Sequence, residues 1–188
     1  MRRLADGLGV VPMALYKHVA DKEDLLNGMV DELIGEFGQG GPRGDWQNEV
    51  RQRVLAARVV VQTHPWARRL IETRTIRTAA VLAHMEAVTQ AFLRGGLSPD
   101  LTHHVMHALG NRIWGFSPEL FNDPSAGTSS TQAGLDPLDY PGILAVSADA
   151  TARRPGATGC DEDFEFAFAL DLILDAAARL QASGWVSR

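Results

Sequence analysis

Residues 4–26 read LADGLGVVPMALYKHVADKEDLL. Leu4 and Leu8 set a short helical period, and Gly9–Val10 follows with a glycine free to take the positive φ of a tight turn. Pro12 has no amide hydrogen and a preset φ, so it fits the first turn of a second short helix running to about His18. Asp21 is suited to cap a third helix whose first turn holds Glu23 and Asp24, facing the positive end of the dipole. Leu25, Leu26, Met29, Val30, Leu33, Ile34 and Phe37 lie along its apolar face. Residues 1–37 therefore read as two short helices around a turn and a long helix that leads out of them.

Working outward, Gly38–Gly44 (GQGGPRG) breaks the helical pattern. It reads as a linker or sharp bend, because a phosphate-binding glycine loop needs a preceding strand and a third glycine, and Arg43 stands at that position. A helix is expected from Asp45 to about Thr63, with Trp46, Val50, Val54, Ala57 and Val61 on one stripe, ending near His64 because Pro65 follows. Another is expected over Ile76–Leu93 before the Gly95–Gly96 stop, and Ser98–Pro99 opens a further helix through about Trp114. Residues 122–136 (NDPSAGTSSTQAGLD) are too poor in apolar side chains to offset the entropy of ordering and read as a mobile loop. A short helix over Pro141–Asp149 and a second loop over Arg153–Gly159 precede the closing helix, capped near Asp161 and running to about Gln181. That helix is apolar on two sides: Phe164, Ala167 and Phe168 mark one, and Phe166, Leu170, Ile173, Leu174 and Ala177 the other. One side suits the chain's own core and the other a second subunit. No alternating strand pattern and no internal repeat is present, so the expected class is all-α, with a head over 1–37 and a helical body over 45–188.

Composition bounds the function. With 188 residues, 45% of them hydrophobic, the chain buries one sizeable core and a small satellite. A net charge of −5 and a pI near 5.6 argue against indiscriminate coating of nucleic acid or membrane, which rests on summed positive charge. Any DNA contact must be local, and residues 1–22 hold Arg2, Arg3, Lys17 and Lys22 against only Asp6 and Asp21. A single cysteine, Cys160, excludes an internal disulfide framework, and no apolar run has the length of a signal-peptide core or a membrane span. The cytoplasm is the default compartment, with no membrane partner.

Leu4, Ala5, Leu8, Gly9, Val10, Leu15, Tyr16, His18, Val19, Lys22, Leu25 and Leu26 form the run L-A-x-x-L-G-V-x-x-x-x-L-Y-x-H-V-x-x-K-x-x-L-L. This run resembles the helix-turn-helix head of the TetR family of transcriptional repressors. Trp46, His64–Pro65–Trp66 and the stretch Phe164–Asp171 resemble segments of that family's tetracycline-repressor-like C-terminal domain. The resemblance implies a ligand-responsive DNA-binding repressor, not an enzyme. It implies a palindromic double-stranded DNA operator and a homodimer built from the Pro99–Trp114 helix and the last helix of each subunit. It also implies a pocket for a small-molecule effector, whose binding changes the separation of the two heads so that both half-sites can no longer be met. The second helix would enter the major groove with Val11, Pro12, Met13, Ala14 and Lys17 toward the base edges; Arg2 and Arg3 would add guanine contacts. Tyr16, His18 and Lys22 would bind phosphate oxygens, against the plainer reading of Tyr16 as packing and Lys22 as a solvated helix-start residue.

One departure from the family pattern bears on the head. A first helix normally precedes the segment that begins here at Met1, and it covers the positions of Leu4, Leu8 and Leu15. Its absence leads to the expectation of a poorly ordered or rearranged head. The alternative function is then a dimeric small-molecule-binding helical module with a degenerate or truncated DNA-binding head.

In the body, Met85, Val88, His104, Met106, His107 and Trp114 are candidate pocket lining, against the reading of the same stripe as plain core. His103 and His107 stand four apart and could share a metal, but two histidines and one Asp100-x-x-His103 pair fall short of a mononuclear or di-iron ligand set. Cys160 has no evident base beside it, so nucleophilic catalysis has no support. No catalytic residue, metal or cofactor is expected.

Overall fold

The computed structural model describes residues 1–38, 44–74, 78–114, 141–153 and 161–188, and among these it forms nine helices and no strand. The chain divides into two compact units, Met1–Gly115 with Leu170–Arg188, and Phe116–Ala169.

The first unit opens with α1 (Arg2–Gly7), α2 (Pro12–Leu15) and α3 (Lys22–Glu36). Gly9 at φ 67° makes the turn after α1, and Val10 N–H closes it on the Ala5 carbonyl at 3.0 Å. Ala5 is fully buried where α1 packs on α2. The turn is thus closed by backbone bonds and a small buried residue. Leu4 and Leu8 nonetheless remain exposed, at 39% and 61%. The expected α2 is longer than the observed one. It stops at Leu15, and Tyr16–His18 continue as a hydrogen-bonded turn in which His18 and Val19 N–H both donate to the Leu15 carbonyl.

The long α3 is capped by Asp21, whose carboxylate accepts from Asp24 N–H at 2.8 Å, while the Asp24 carboxylate accepts from Ala20 N–H at 2.9 Å. Its C-terminal half enters the core of the body: Val30, Leu33 and Phe37 pack with Ala57 and Val60 of α4 (Trp46–Thr63) and with Ala67 and Leu70 of α5 (Ala67–Glu72). Each of the large side chains contributes about 1.5–3 kcal/mol by leaving water. The sequence reading did not foresee α5, because six residues after Pro65 are too few to show a helical period.

Beyond it run α6 (Ala79–Arg94) and α7 (Pro99–Trp114). Thr78 caps α6 through Val81 N–H, which sets its start three residues later than expected, and Ser98 caps α7 through Leu101 N–H. Between them, Gly95 lies under Trp46: a Cβ there would stand 2.3 Å from the indole, so only glycine fits. The last helix, α9 (Glu162–Ala182), supplies Leu170, Leu174 and Ala177 to the core. It is tied to α4 by Arg51–Asp171 at 2.7 Å and Gln47–Asp175 at 3.3 Å. After Gly184, at φ 64°, the chain turns so that Ser187 donates its N–H and hydroxyl to Asp100 of α7, at 2.6 and 2.9 Å.

In the second unit, α8 (Pro141–Arg153) runs one turn beyond the expected Asp149, with Arg153 bonded back to Asp149 at 2.6 Å. Asp161 caps α9 through Phe164 N–H at 3.0 Å, as expected, and the rings of Phe164 and Phe168 stack at 6.3 Å. The loop expected at 122–136, residues 39–43 of the glycine-rich break, residues 154–159 and Cys160 lie outside the described residues. No described helix is long and apolar enough to cross a membrane.

Candidate nucleic-acid interface and buried charge cluster

Arg2, Arg3, Pro12, Met13, Tyr16, Lys17, His18 and Lys22 are all exposed on the head, and Ala14 is half-buried. The turn at Gly9 therefore gathers every head residue singled out from the sequence on one accessible unit. Met13 and Val11 are the most open of its apolar residues, at 71% and 67%. The electrostatics follow from the caps. Asp21 and Asp24 spend carboxylate oxygens on backbone N–H groups, while Arg2, Arg3, Lys17 and Lys22 make no ion pair among the described residues. Lys22 starts α3 directly after its cap. The head thus presents the unpaired cations Arg2, Arg3, Lys17 and Lys22 beside the acidic first turn of α3, and these cations are the groups suited to phosphate oxygens. Two bonds anchor it to the body: Arg74 pairs with Glu23, and the Thr78 hydroxyl donates to Asp31.

The six residues singled out in the body are not gathered in the same way. Val88 is buried in the core, Met106 is half-buried, and Met85, His104 and His107 are exposed. The Trp114 side chain lies outside the described part. Of the six, His104 lines a groove of about 970 Å³ between α7 and α9, together with Leu101, Ile173, Leu180 and Trp185. His104 meets the Trp185 ring edge-on at 5.5 Å and lies 3.7 Å from Asp100. Ser187 holds the Asp100 carboxyl below its ordinary pKa, through its N–H first and its hydroxyl second. His103 and His107 stack edge-on at 4.6 Å, yet no group of three potential metal ligands converges among the described residues.

A second constellation lies inside the body, and none of its members was singled out in advance. Glu49 of α4 is 3% exposed and takes Arg94 of α6 on both oxygens, at 3.0 and 2.9 Å. Arg53, one turn along, reaches the same carboxylate only at 3.4 Å, and its Nε is buried without a hydrogen-bond partner. The side chain of Arg53 is 13% exposed. Near it, His84 of α6 packs edge-on against Phe37 at 5.1 Å. Burial first, and the positive charge of Arg53 second, lower the His84 pKa from its ordinary 6.5.

The C-terminal part of the chain decides its kinship: residues 40–179 match the family model described as the tetracyclin repressor-like C-terminal domain. The chain belongs to the TetR family of transcriptional repressors. An HTH-type transcriptional regulator of Saccharopolyspora erythraea is 34% identical over 99 residues, 51% of this chain and 41% of that protein's length. An HTH-type transcriptional repressor of Mycobacterium tuberculosis is 26% identical over 193 residues, 96% of this chain and 72% of that protein. Among solved structures, the TetR family protein ActR of Streptomyces coelicolor, in complex with actinorhodin, superimposes with a TM-score of 0.70 at 22% identity, covering 95% of this chain and 86% of that one. That likeness carries the TetR fold. Within this fold, Arg53 and His84 had a legible signal. Arg53 lies three residues after Val50 and four before Ala57, and His84 four before Val88, so each is a polar residue on an apolar helical stripe.

Proposed function

We propose that the chain acts as a ligand-responsive, homodimeric repressor whose head, residues 1–37, binds a palindromic DNA operator and whose body, residues 45–188, receives a small-molecule effector. The observation that carries this reading is the formed turn-and-helix head with Arg2, Arg3, Lys17 and Lys22 exposed and unpaired. Met13 and Ala14 meet base edges, with Met13 suited to thymine methyl groups, and Lys17 is the one strong base donor of its turn. Tyr16, His18 and Lys22 hold phosphates and set register. The dimer forms through α7 and α9, a reading supported by the apolar groove between them and by Leu172, exposed at 52%. The complex of ActR with actinorhodin supports an effector in the body.

A mobility-shift titration of a palindromic duplex from upstream of the chain's own gene tests this. A shift that weakens steeply with salt is expected, and Lys22→Ala is expected to reduce the salt slope by about 1 with a uniform loss across sequences. The exposure of Leu4 and Leu8 favours a second reading, a dimeric effector-binding module whose head no longer binds DNA. An absent shift, with dimerisation intact, selects that reading.

A further inference from the structure

We propose that Arg74, supplied by the body, guards the charge of the DNA-binding edge: it neutralises Glu23, a carboxylate that otherwise stands beside the phosphate-binding cations of the head and repels DNA. This inference rests on the reading of the head as an operator-binding unit, and it names a residue through which the body acts on that binding.

Two demands meet in the first turn of α3. Acidic residues there stabilise the helix through its dipole, and Glu23 and Asp24 take those places. The same turn opens with Lys22, an exposed cation suited to phosphate oxygens. A carboxylate that helps the helix thus works against DNA. Up to Asp24 the head sets Arg2, Arg3, Lys17 and Lys22 against Asp6, Asp21, Glu23 and Asp24, so these charges balance. A head without net charge lacks the local positive field that draws in DNA. Asp21 and Asp24 at least turn inward, accepting from backbone N–H groups at 2.8 and 2.9 Å. The Glu23 side chain is 62% exposed, and the group that answers its charge is Arg74, from just beyond α5.

The body fixes Arg74 in place. Its N–H donates to the Ile71 carbonyl at 3.2 Å, and the neighbouring Leu70 is buried in the core that α3 enters. The Arg74 side chain is only 16% exposed, so its stem is covered while the guanidinium reaches Glu23. Four residues on, Thr78 caps α6 and donates to Asp31 of the same α3. The cation therefore stays beside Glu23 only while the end of α5 and the start of α6 lie along α3. A solvated ion pair of this kind contributes little to stability. Its consequence falls on DNA, because an uncompensated carboxylate next to Lys22 lies well within the Debye length of about 8–10 Å of any phosphate held there. Withdrawing Arg74 makes the edge one charge more negative and weakens binding to every sequence.

Operator affinity of the full chain, measured by mobility shift on the palindromic duplex at about 50 mM and about 200 mM salt, tests this with Arg74→Met, Glu23→Gln and the double variant. Affinity is expected to follow the charge of the pair. Arg74→Met is expected to bind about three- to tenfold more weakly than the wild type at the lower salt, with the gap closing at the higher. The double variant, neutral at both positions, is expected to return to within about twofold of the wild type, and Glu23→Gln to bind at least as tightly. A tie that acts only mechanically gives another order, with all three variants equally weak. That order, wild-type affinity in Arg74→Met, or a gap that persists at the higher salt overturns the proposal. Should Arg74→Met not fold, Glu23→Gln decides, since its site is solvated: binding weaker than wild type overturns the proposal, and equal or tighter binding upholds it. A wild type that shifts no duplex removes the operator-binding reading and this inference with it, whereas a shift with the wrong order among the variants removes this inference alone.

Discussion

His84 shows how one residue carries the body's electrostatics. Buried beside Phe37 and near Arg53, its imidazole has a pKa below 6.5 in the folded chain, while in the unfolded chain it returns to about 6.5. The unfolded state then takes up a proton that the folded state refuses. Stability is unaffected above that value and is lost as the pH falls from about 6.5 through the folded pKa. Urea midpoints at pH 7.5 and 5.5 should therefore differ more for the wild type than for His84→Gln, and an equal difference in both would show that His84 ionises freely. Residue types at such positions are visible in the sequence, but their state is not. Arg53 and Arg94 are both arginines on helices, yet one holds Glu49 with two short bonds and the other is left short of an acceptor.

Among the elements, α3 shows what local chemistry alone can set. Asp21 and Asp24 exchange side-chain and backbone bonds across the first turn, and this reciprocal cap fixes where the helix begins and where Lys22 stands. Asp21→Ala is expected to cost about 1 kcal/mol, read as a lower urea midpoint. An unchanged midpoint would show the cap to be idle. The caps at Asp21, Ser98 and Asp161 were legible, because an N-cap depends on residues within one turn of chain. α5 was not legible for the opposite reason: it is held by Ala67 and Leu70 against α3 and α4, and little in its own six residues announces it. The end of α2 was misplaced because Tyr16, Lys17 and His18 are acceptable helix residues. Whether the last turn closes as α-helix or as a looser turn depends on small differences in bond geometry.

At the scale of the molecule, α3 joins head and body in one compact unit, since Val30, Leu33 and Phe37 belong to the same core as α4 and α5. Arg74–Glu23 and Thr78–Asp31 add polar ties along that junction. A shift of α6 has a direct mechanical route to the head through α3, the helix it packs on. The proposed dimer makes its own demand. Leu172, exposed at 52% on α9, should lie in the subunit contact, so Leu172→Arg is expected to give monomers in sedimentation velocity and to abolish the operator shift. A dimer that survives the substitution places the contact elsewhere.

The all-helical class, the turn at Gly9, the capped starts of the long helices and the cationic composition of the head follow from residues close together in the chain. Their causes are local: backbone freedom, missing amide hydrogens, and side chains within one turn of the N–H groups they satisfy. The pairing of Glu49 with Arg94, the fit of Gly95 beneath Trp46 and the return of Ser187 onto Asp100 came only with the packed chain. Each joins segments far apart in sequence, and a buried charge or a close approach takes its energy from neighbours that folding alone brings near.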